Sequence, residues 1–147
     1  KDIMQPVEGQ FDVICGRSVL HHIDYKPVLK RLYTSNLNRN GFMIFMEPLG
    51  SNLFMKILFF LGKMAHTPDE KPLYKKDLLW LKETFEGLEI FPINYFSFPF
   101  GIISSVLFSN ADNFLMQLCD KVDFWIAKNI KSLNSNFRQA IIVIKKI

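Results

Sequence analysis

Short apolar runs and amphipathic stretches alternate along this chain, and their order predicts a strand–helix–strand unit near its start. Phe11-Asp12-Val13-Ile14-Cys15 is short and β-branched and lies between Gly9 and Gly16, which reads as a buried strand. His21-His22-Ile23-Asp24 follows as a turn, with Asp24 placed to cap a helix whose first turn tolerates Pro27. Val28, Leu29, Leu32 and Leu37 form the apolar stripe of that helix, which runs to about Leu37. Asn38-Arg39-Asn40-Gly41 stops it, with Gly41 suited to a left-handed turn. Phe42 to Met46 is a second buried strand, closed by Glu47-Pro48 because proline cannot continue a central ladder. Such a unit makes a parallel pair with a right-handed crossover.

Beyond it the pattern predicts a lipophilic helix from Asn52 to Met64 and a polar loop from His66 to Pro72. A short helix from Asp77 to Phe85 turns Leu78, Leu79, Leu81 and Phe85 inward. Leu88 to Phe98 reads as a third strand, broken at Phe98-Pro99-Phe100-Gly101. Ser109 caps a longer helix from Ala111 to about Ile130, striped by Leu115, Leu118, Cys119, Val122, Trp125, Ile126 and Ile130. Gln139 to Ile144 is a terminal strand. With no repeat, low-complexity tract or linker, residues 1–147 read as one domain.

Composition excludes several classes. A chain 49% hydrophobic and 14% aromatic is not disordered. The net charge of +4 comes from scattered lysines and arginines, whereas a nucleic-acid binder concentrates them on one face. Cys15 and Cys119 lie in no metal-ligand spacing and suit a reducing compartment, so the expected location is cytoplasmic, with no structural metal. The start has no apolar leader. The apolar stretches Leu53–Leu61 and Tyr95–Phe108 are shorter than the ~20 residues of a membrane-spanning helix. Peripheral contact with a membrane surface stays open.

Two passages carry a family resemblance. Phe11-Asp12-Val13-Ile14 followed by Ser18-Val19-Leu20-His21-His22-Ile23 resembles the fourth-strand motif of class I, Rossmann-like, S-adenosylmethionine-dependent methyltransferases. Gly41-Phe42-Met43-Ile44-Phe45-Met46-Glu47-Pro48-Leu49-Gly50-Ser51-Asn52 resembles their fifth-strand passage, with Phe42 where a second glycine is usual. Thr67-Pro68-Asp69-Glu70-Lys71-Pro72-Leu73 is similar to a segment of the small-molecule branch. The resemblance covers about residues 2–80 and the last strand. It implies an α/β fold in which the four strands are the half-sheet ordered 4-5-7-6, the last antiparallel. It also implies that the chain starts just after the third strand, so that the glycine-rich cofactor loop lies upstream. The edge of the first strand here is then left open, and the isolated segment is expected to be poorly soluble.

The resemblance further implies S-adenosylmethionine as cofactor and methyl transfer to oxygen, nitrogen or carbon of a small, apolar or large acceptor. His22 is the candidate base at the carboxyl edge of the first strand, ahead of His21; the alternative is a turn histidine. Glu47 is the candidate for orienting substrate or moving a proton; the alternative is a carboxylate capping a helix start. The backbone of Cys15, Gly16 and Arg17 is expected to line the cofactor, Arg17 being equally readable as a surface charge, with Asp2 and Ile3 near the adenine. His66, Asp69 and Glu70 read as a polar loop rather than a metal site. Phe91, Tyr95, Phe96, Phe98 and Phe100 read as core packing or as an aromatic pocket. About residues 52–72 form a helical lid, and an insertion of about residues 99–138 shapes an acceptor pocket or the surface of a homodimer. The rival reading is a non-catalytic fragment serving as an interaction domain.

Overall fold

The computed structural model describes residues 4–54, 56 and 71–147. Four strands, β1 (Phe11–Arg17), β2 (Leu37–Pro48), β3 (Gly87–Ile93) and β4 (Gln139–Lys145), form one sheet ordered β1-β2-β4-β3. β1 runs parallel to β2, and β4 runs antiparallel to both of its neighbours. This is the expected order and set of strand directions in an α/β sheet. The helices are α1 (Tyr25–Arg31), α2 (Lys75–Thr84), α3 (Ser97–Leu107) and α4 (Phe114–Asn129).

Alternation along the central strands makes two unlike faces. Met43, Phe45 and Glu47 of β2 and Ala140, Ile142 and Ile144 of β4 point inward. They join Val28 and Leu29 of α1 and Leu78 and Leu81 of α2 in one core cluster. Each leucine or isoleucine so buried stabilises the fold by roughly 1.5–3 kcal/mol. On the opposite face Val13, Phe42, Ile44 and Phe91 are exposed. β1 is therefore not the buried strand its sequence suggests: as a terminal strand it pairs only with β2, and Phe11 and Val13 meet solvent.

Local chemistry explains the other departures. α1 is shorter than its apolar stripe predicts, because it widens into one π turn over Leu32–Asn36, closed by Leu37 N–H donating to the Leu32 carbonyl. The widened turn sends the buried Asn36 amide to the Val7 and Gly9 carbonyls, at 2.6 and 2.9 Å. Asp24 stands before α1, but its side chain makes no capping bond. The supposed stop at Asn38–Gly41 is strand: β2 begins at Leu37, and Asn40 rather than Gly41 is left-handed, with φ of 64°. Gly41 is needed for space, since a Cβ there would lie 2.8 Å from the Asp12 carbonyl oxygen.

β3 ends at Ile93 and not at Phe98. Pro92 is tolerated because β3 is an edge strand, and Pro99 falls in the first turn of α3. α4 starts later than expected, capped by Asn113, whose side chain accepts from Met116 N–H at 3.2 Å, and not by Ser109. Of the predicted inward residues, Leu79 on α2 and Leu118, Val122 and Trp125 on α4 are exposed. The predicted helix from Asn52 to Met64 and the loop from His66 lie mostly outside the described residues.

The one core phenol is held by a carboxylate. Tyr25 OH donates to Asp77 Oδ1 at 2.8 Å, and burial, then that bond, then the charges of Asp77 and Asp24 push the phenol well above its ordinary value of 10.0. Tyr25→Phe is expected to cost about 1–2 kcal/mol in denaturant unfolding, because Asp77 loses a buried donor. A folded value raised above the unfolded one stabilises the protein below about pH 10 and loses that contribution as pH rises further. The gap between parent and Tyr25→Phe should therefore narrow above pH 10; a gap that widens there contradicts this account.

Candidate functional site

The site grows from one carboxylate. Glu47 lies on the inward face of β2 near its carboxyl end and is fully buried. Beside it the chain leaves β1 at Ser18, a left-handed residue with φ of 54°, whose N–H donates to the Met46 carbonyl at 2.9 Å. This twist turns the next three N–H groups the same way. Val19 and Leu20 N–H both donate to Glu47 Oε1 at 2.9 Å. His21 N–H donates to Oε2 at 3.4 Å, and His21 Nδ1 lies 2.8 Å from the same oxygen. Converging backbone N–H groups make an anion site, and here the anion is a side chain of the protein. Two donors on each oxygen fill the geometric capacity of the carboxylate.

Facing a carboxylate, which only accepts, Nδ1 of His21 is the donor to that oxygen. Leu20–His22 forms a single 3-10 turn, and the His22 ring stacks obliquely on His21 at 4.0 Å between centroids. His21 is buried and His22 is exposed. His22 lines an open cleft of about 820 Å³ together with Asp24, Lys71, Tyr74, Lys76 and Asp77. The far wall is tied to the same turn: Lys71 N–H donates to the His21 carbonyl at 2.8 Å, and Leu73 N–H to the Pro48 carbonyl at 3.0 Å. The cleft thus joins the carboxyl ends of β1 and β2, where α/β sheets hold ligands.

The expected cofactor contacts do not share one face. Register places Gly16 beside Phe45 on the inward face, and Cys15 and Arg17 beside Ile44 and Met46 on the outer one. The space of a Cβ on Gly16 is filled by the Phe45 ring at 3.0 Å, so this glycine serves core packing. Cys15 and Arg17 are exposed. Arg138, stacked 4.1 Å over the Phe98 ring, has its guanidinium pKa lowered, first by burial and then by the charge of Arg17. Asp2, Ile3, His66, Asp69 and Glu70 lie outside the described residues.

The aromatic run divides between surface and core. Phe91 is on the exposed face of β3, Tyr95 packs on Phe137 at 5.1 Å and on Phe96 at 5.0 Å, and Phe100 is exposed. A second groove of about 520 Å³ runs between β3 and α4 and is lined by Phe91, Asn94, Asp120, Phe124 and Lys128. Among the described residues no three His, Cys, Asp or Glu side chains gather as metal ligands, and no helix is long and apolar enough to cross a membrane.

Sequence reasoning ranked His21 behind His22 and missed Ser18. For Glu47 the sequence offered two readings without choosing between them, and its bonds to the Val19–His21 turn are those of the second, a carboxylate capping a helix start. Sequence reasoning also missed Asp123, which accepts from the N–H groups of Tyr95, Phe96 and Ser97.

No protein-family model and no curated protein sequence matches the chain. Solved structures do. Coclaurine N-methyltransferase, bound to N-methylheliamine and S-adenosylhomocysteine, is 11% identical with a TM-score of 0.50, over 99% of this chain and 51% of that one. A SAM-dependent methyltransferase from Archaeoglobus fulgidus is 18% identical with a TM-score of 0.49, over 93% of this chain and 60% of that one. A phosphoethanolamine N-methyltransferase 2 from Haemonchus contortus is 16% identical with a TM-score of 0.42, over 92% and 33%. The chain spans between a third and three fifths of the length of these structures. Sheet order, strand directions and this likeness together give the chain the α/β fold of S-adenosylmethionine-dependent methyltransferases.

Proposed function

We propose that this chain forms the acceptor-side wall of a methyl-transfer site acting on a small molecule. The observation that carries the reading is the Glu47 grip, which fixes the Leu20–His22 turn at the carboxyl edge of the sheet beside an open cleft. S-adenosylmethionine would supply an electrophilic methyl group. The described residues fit one wall of its site and not the whole: Glu47 is saturated, Gly16 is packed against Phe45, and the sequence has no glycine-rich loop. No step is therefore routed through the cofactor.

In this reading His22 takes a proton from the acceptor hydroxyl or amine, and His21 and Glu47 hold its backbone in place. Methyl transfer depends mostly on positioning, so the base is worth less than in hydrolysis. Replacing His22 with glutamine in the enzyme that contains this chain should lower kcat about tenfold to a hundredfold. The thermal midpoint should not move, because the His22 side chain is exposed. Turnover equal to that of the parent removes His22 from the reaction.

The rival, a non-catalytic interaction domain, draws support from the exposed apolar face formed by Val13, Phe42, Ile44 and Phe91. Calorimetry with S-adenosylmethionine separates the two. Binding by the protein that contains this chain supports the enzyme, and failure of that protein to bind supports the interaction domain.

A further inference from the structure

Two arginines flank the carboxyl end of β2. Arg17 is the last residue of β1, and next to it Ser18 N–H donates to the Met46 carbonyl at 2.9 Å. Arg138 stands on the other side, just before β4, and its carbonyl accepts from Leu49 N–H at 2.9 Å. Arg138 N–H donates to the Asn94 carbonyl at 3.1 Å, so its backbone is fixed from two directions. Its side chain is half-buried, with the guanidinium 4.1 Å over the ring of Phe98 in the first turn of α3. The stack holds the guanidinium plane, so its fork of donors is presented in one orientation.

No carboxylate of the described residues answers this pair. The one ion pair among them is His21–Glu47. Glu47 has both oxygens on the Val19–His21 turn, and Asp123 has its own on Tyr95, Phe96 and Ser97. The sequence has no acidic residue between Glu89 and Asp112, which takes in all of α3, and none after Asp123, which takes in β4. Glu89 lies opposite Val143 on the far edge strand, with β4 and β2 between it and Arg17. Burial lowers the Arg138 guanidinium pKa and the charge of Arg17 lowers it further. Both effects mean that the charged form is costly where it stands, and a bound anion offsets that cost.

We propose that Arg17 and Arg138 together bind an oxyanion, the phosphate or carboxylate group of the methyl acceptor, at the carboxyl edge of the sheet. Guanidinium forks meet the oxygens of such groups two at a time, and α/β sheets hold their ligands outside this edge. The Leu20–His22 turn, with the proposed base, leaves β1 at the same edge. The identity of the ligand rests on the methyl-transfer reading; the anion site itself does not.

Calorimetry with inorganic phosphate and with acetate, on the protein that contains this chain, tests it. The parent binds at least one of the two probes. Arg138→Gln weakens that binding about tenfold or more and Arg17→Gln about fivefold, while Arg138→Lys keeps the charge without the fork and falls between parent and glutamine. Lys121→Gln, exposed on α4, leaves it unchanged. In chloride Arg138→Gln melts with the parent or above it, because it removes a half-buried, repelled charge, and phosphate raises the melting temperature of the parent alone. Affinity for S-adenosylmethionine is the same in Arg138→Gln as in the parent. The proposal is overturned if neither probe binds, or if both glutamine variants bind as the parent does. It is overturned as well if Arg138→Gln melts well below the parent in chloride and still binds the probe, which makes Arg138 structural. Loss of S-adenosylmethionine affinity in Arg138→Gln assigns the pair to the cofactor carboxylate and also overturns it. Probe binding through the pair in a protein that binds no S-adenosylmethionine ends the methyl-transfer reading and the acceptor with it. Cofactor binding without probe binding ends this inference alone.

Discussion

Replacing Glu47 with alanine is expected to destabilise the protein by about 3–5 kcal/mol, the largest loss from any single substitution considered. The carboxylate is fully buried and accepts from three backbone N–H groups and one ring nitrogen. Alanine removes all four acceptor contacts at once and leaves the donors in a space too small for each to find water. An orphaned buried donor costs roughly 1–3 kcal/mol, and the sum is limited because the turn can loosen. Since total stability is about 5–15 kcal/mol, this loss lowers the melting temperature on the order of 10 °C.

Glutamine at 47 restores one acceptor but turns an amide NH₂ toward groups that are themselves donors. Glu47→Gln should therefore melt clearly below the parent, and above alanine. His22→Ala is the control, since its side chain is exposed next to the same turn. If Glu47→Gln or Glu47→Ala melts with the parent, the grip is not what holds the turn. A variant that keeps its stability and loses turnover would instead place Glu47 in the reaction itself.

The same residues show what a sequence can reveal here. Sheet order was legible through the family resemblance, which implies the order 4-5-7-6 with the last strand antiparallel, and the sheet has that order. The Glu47-Pro48 pair was legible as a site, but its role was not. A carboxylate at a strand end has the same sequence whether it faces a substrate or three N–H groups; the left-handed Ser18 decides, and serine does not announce a positive φ. Cys15, Gly16 and Arg17 are expected to line the cofactor with their backbone; the strand period of two, which the sequence also shows, sends the Gly16 position to one face and the side chains of its neighbours to the other. The reading was weakest from Leu88 to Ile130. Apolar periodicity locates a core only when the apolar side is the buried one. In α4 Leu118, Val122 and Trp125 of the predicted stripe are exposed, and α3, which the pattern does not predict as a helix, carries its apolar residues on the outer side.

Asp123→Ala should produce the second large effect, about 2–4 kcal/mol, concentrated in the α3–α4 hairpin. Asp123 is buried on α4 and accepts from Tyr95, Phe96 and Ser97 N–H at 2.9, 2.7 and 3.1 Å and from Ser97 Oγ at 2.7 Å. These are the donors that α3 cannot satisfy at its own start. The carboxylate also faces the positive end of the helix dipole. One side chain thus starts α3 and fastens it to α4, while the apolar side of α3 adds little toward the protein. Without Asp123 the hairpin should open locally before the sheet unfolds, since the core around Phe45 and Ile142 does not depend on it. Hydrogen exchange at Tyr95, Phe96 and Ser97 should then lose protection while β2 and β4 amides keep theirs. Cys119 reports independently. It is buried one turn before Asp123, and burial, then Asp123, then Asp120 push its thiol above the ordinary value. Removing Asp123 lifts the repulsion and admits water, so more thiolate forms. In a Cys15→Ser background Cys119 should react with a disulfide reagent many times faster after Asp123→Ala. Asp123→Asn keeps one acceptor and should fall between. If Cys119 stays inert and the three amides stay protected, another contact holds the hairpin.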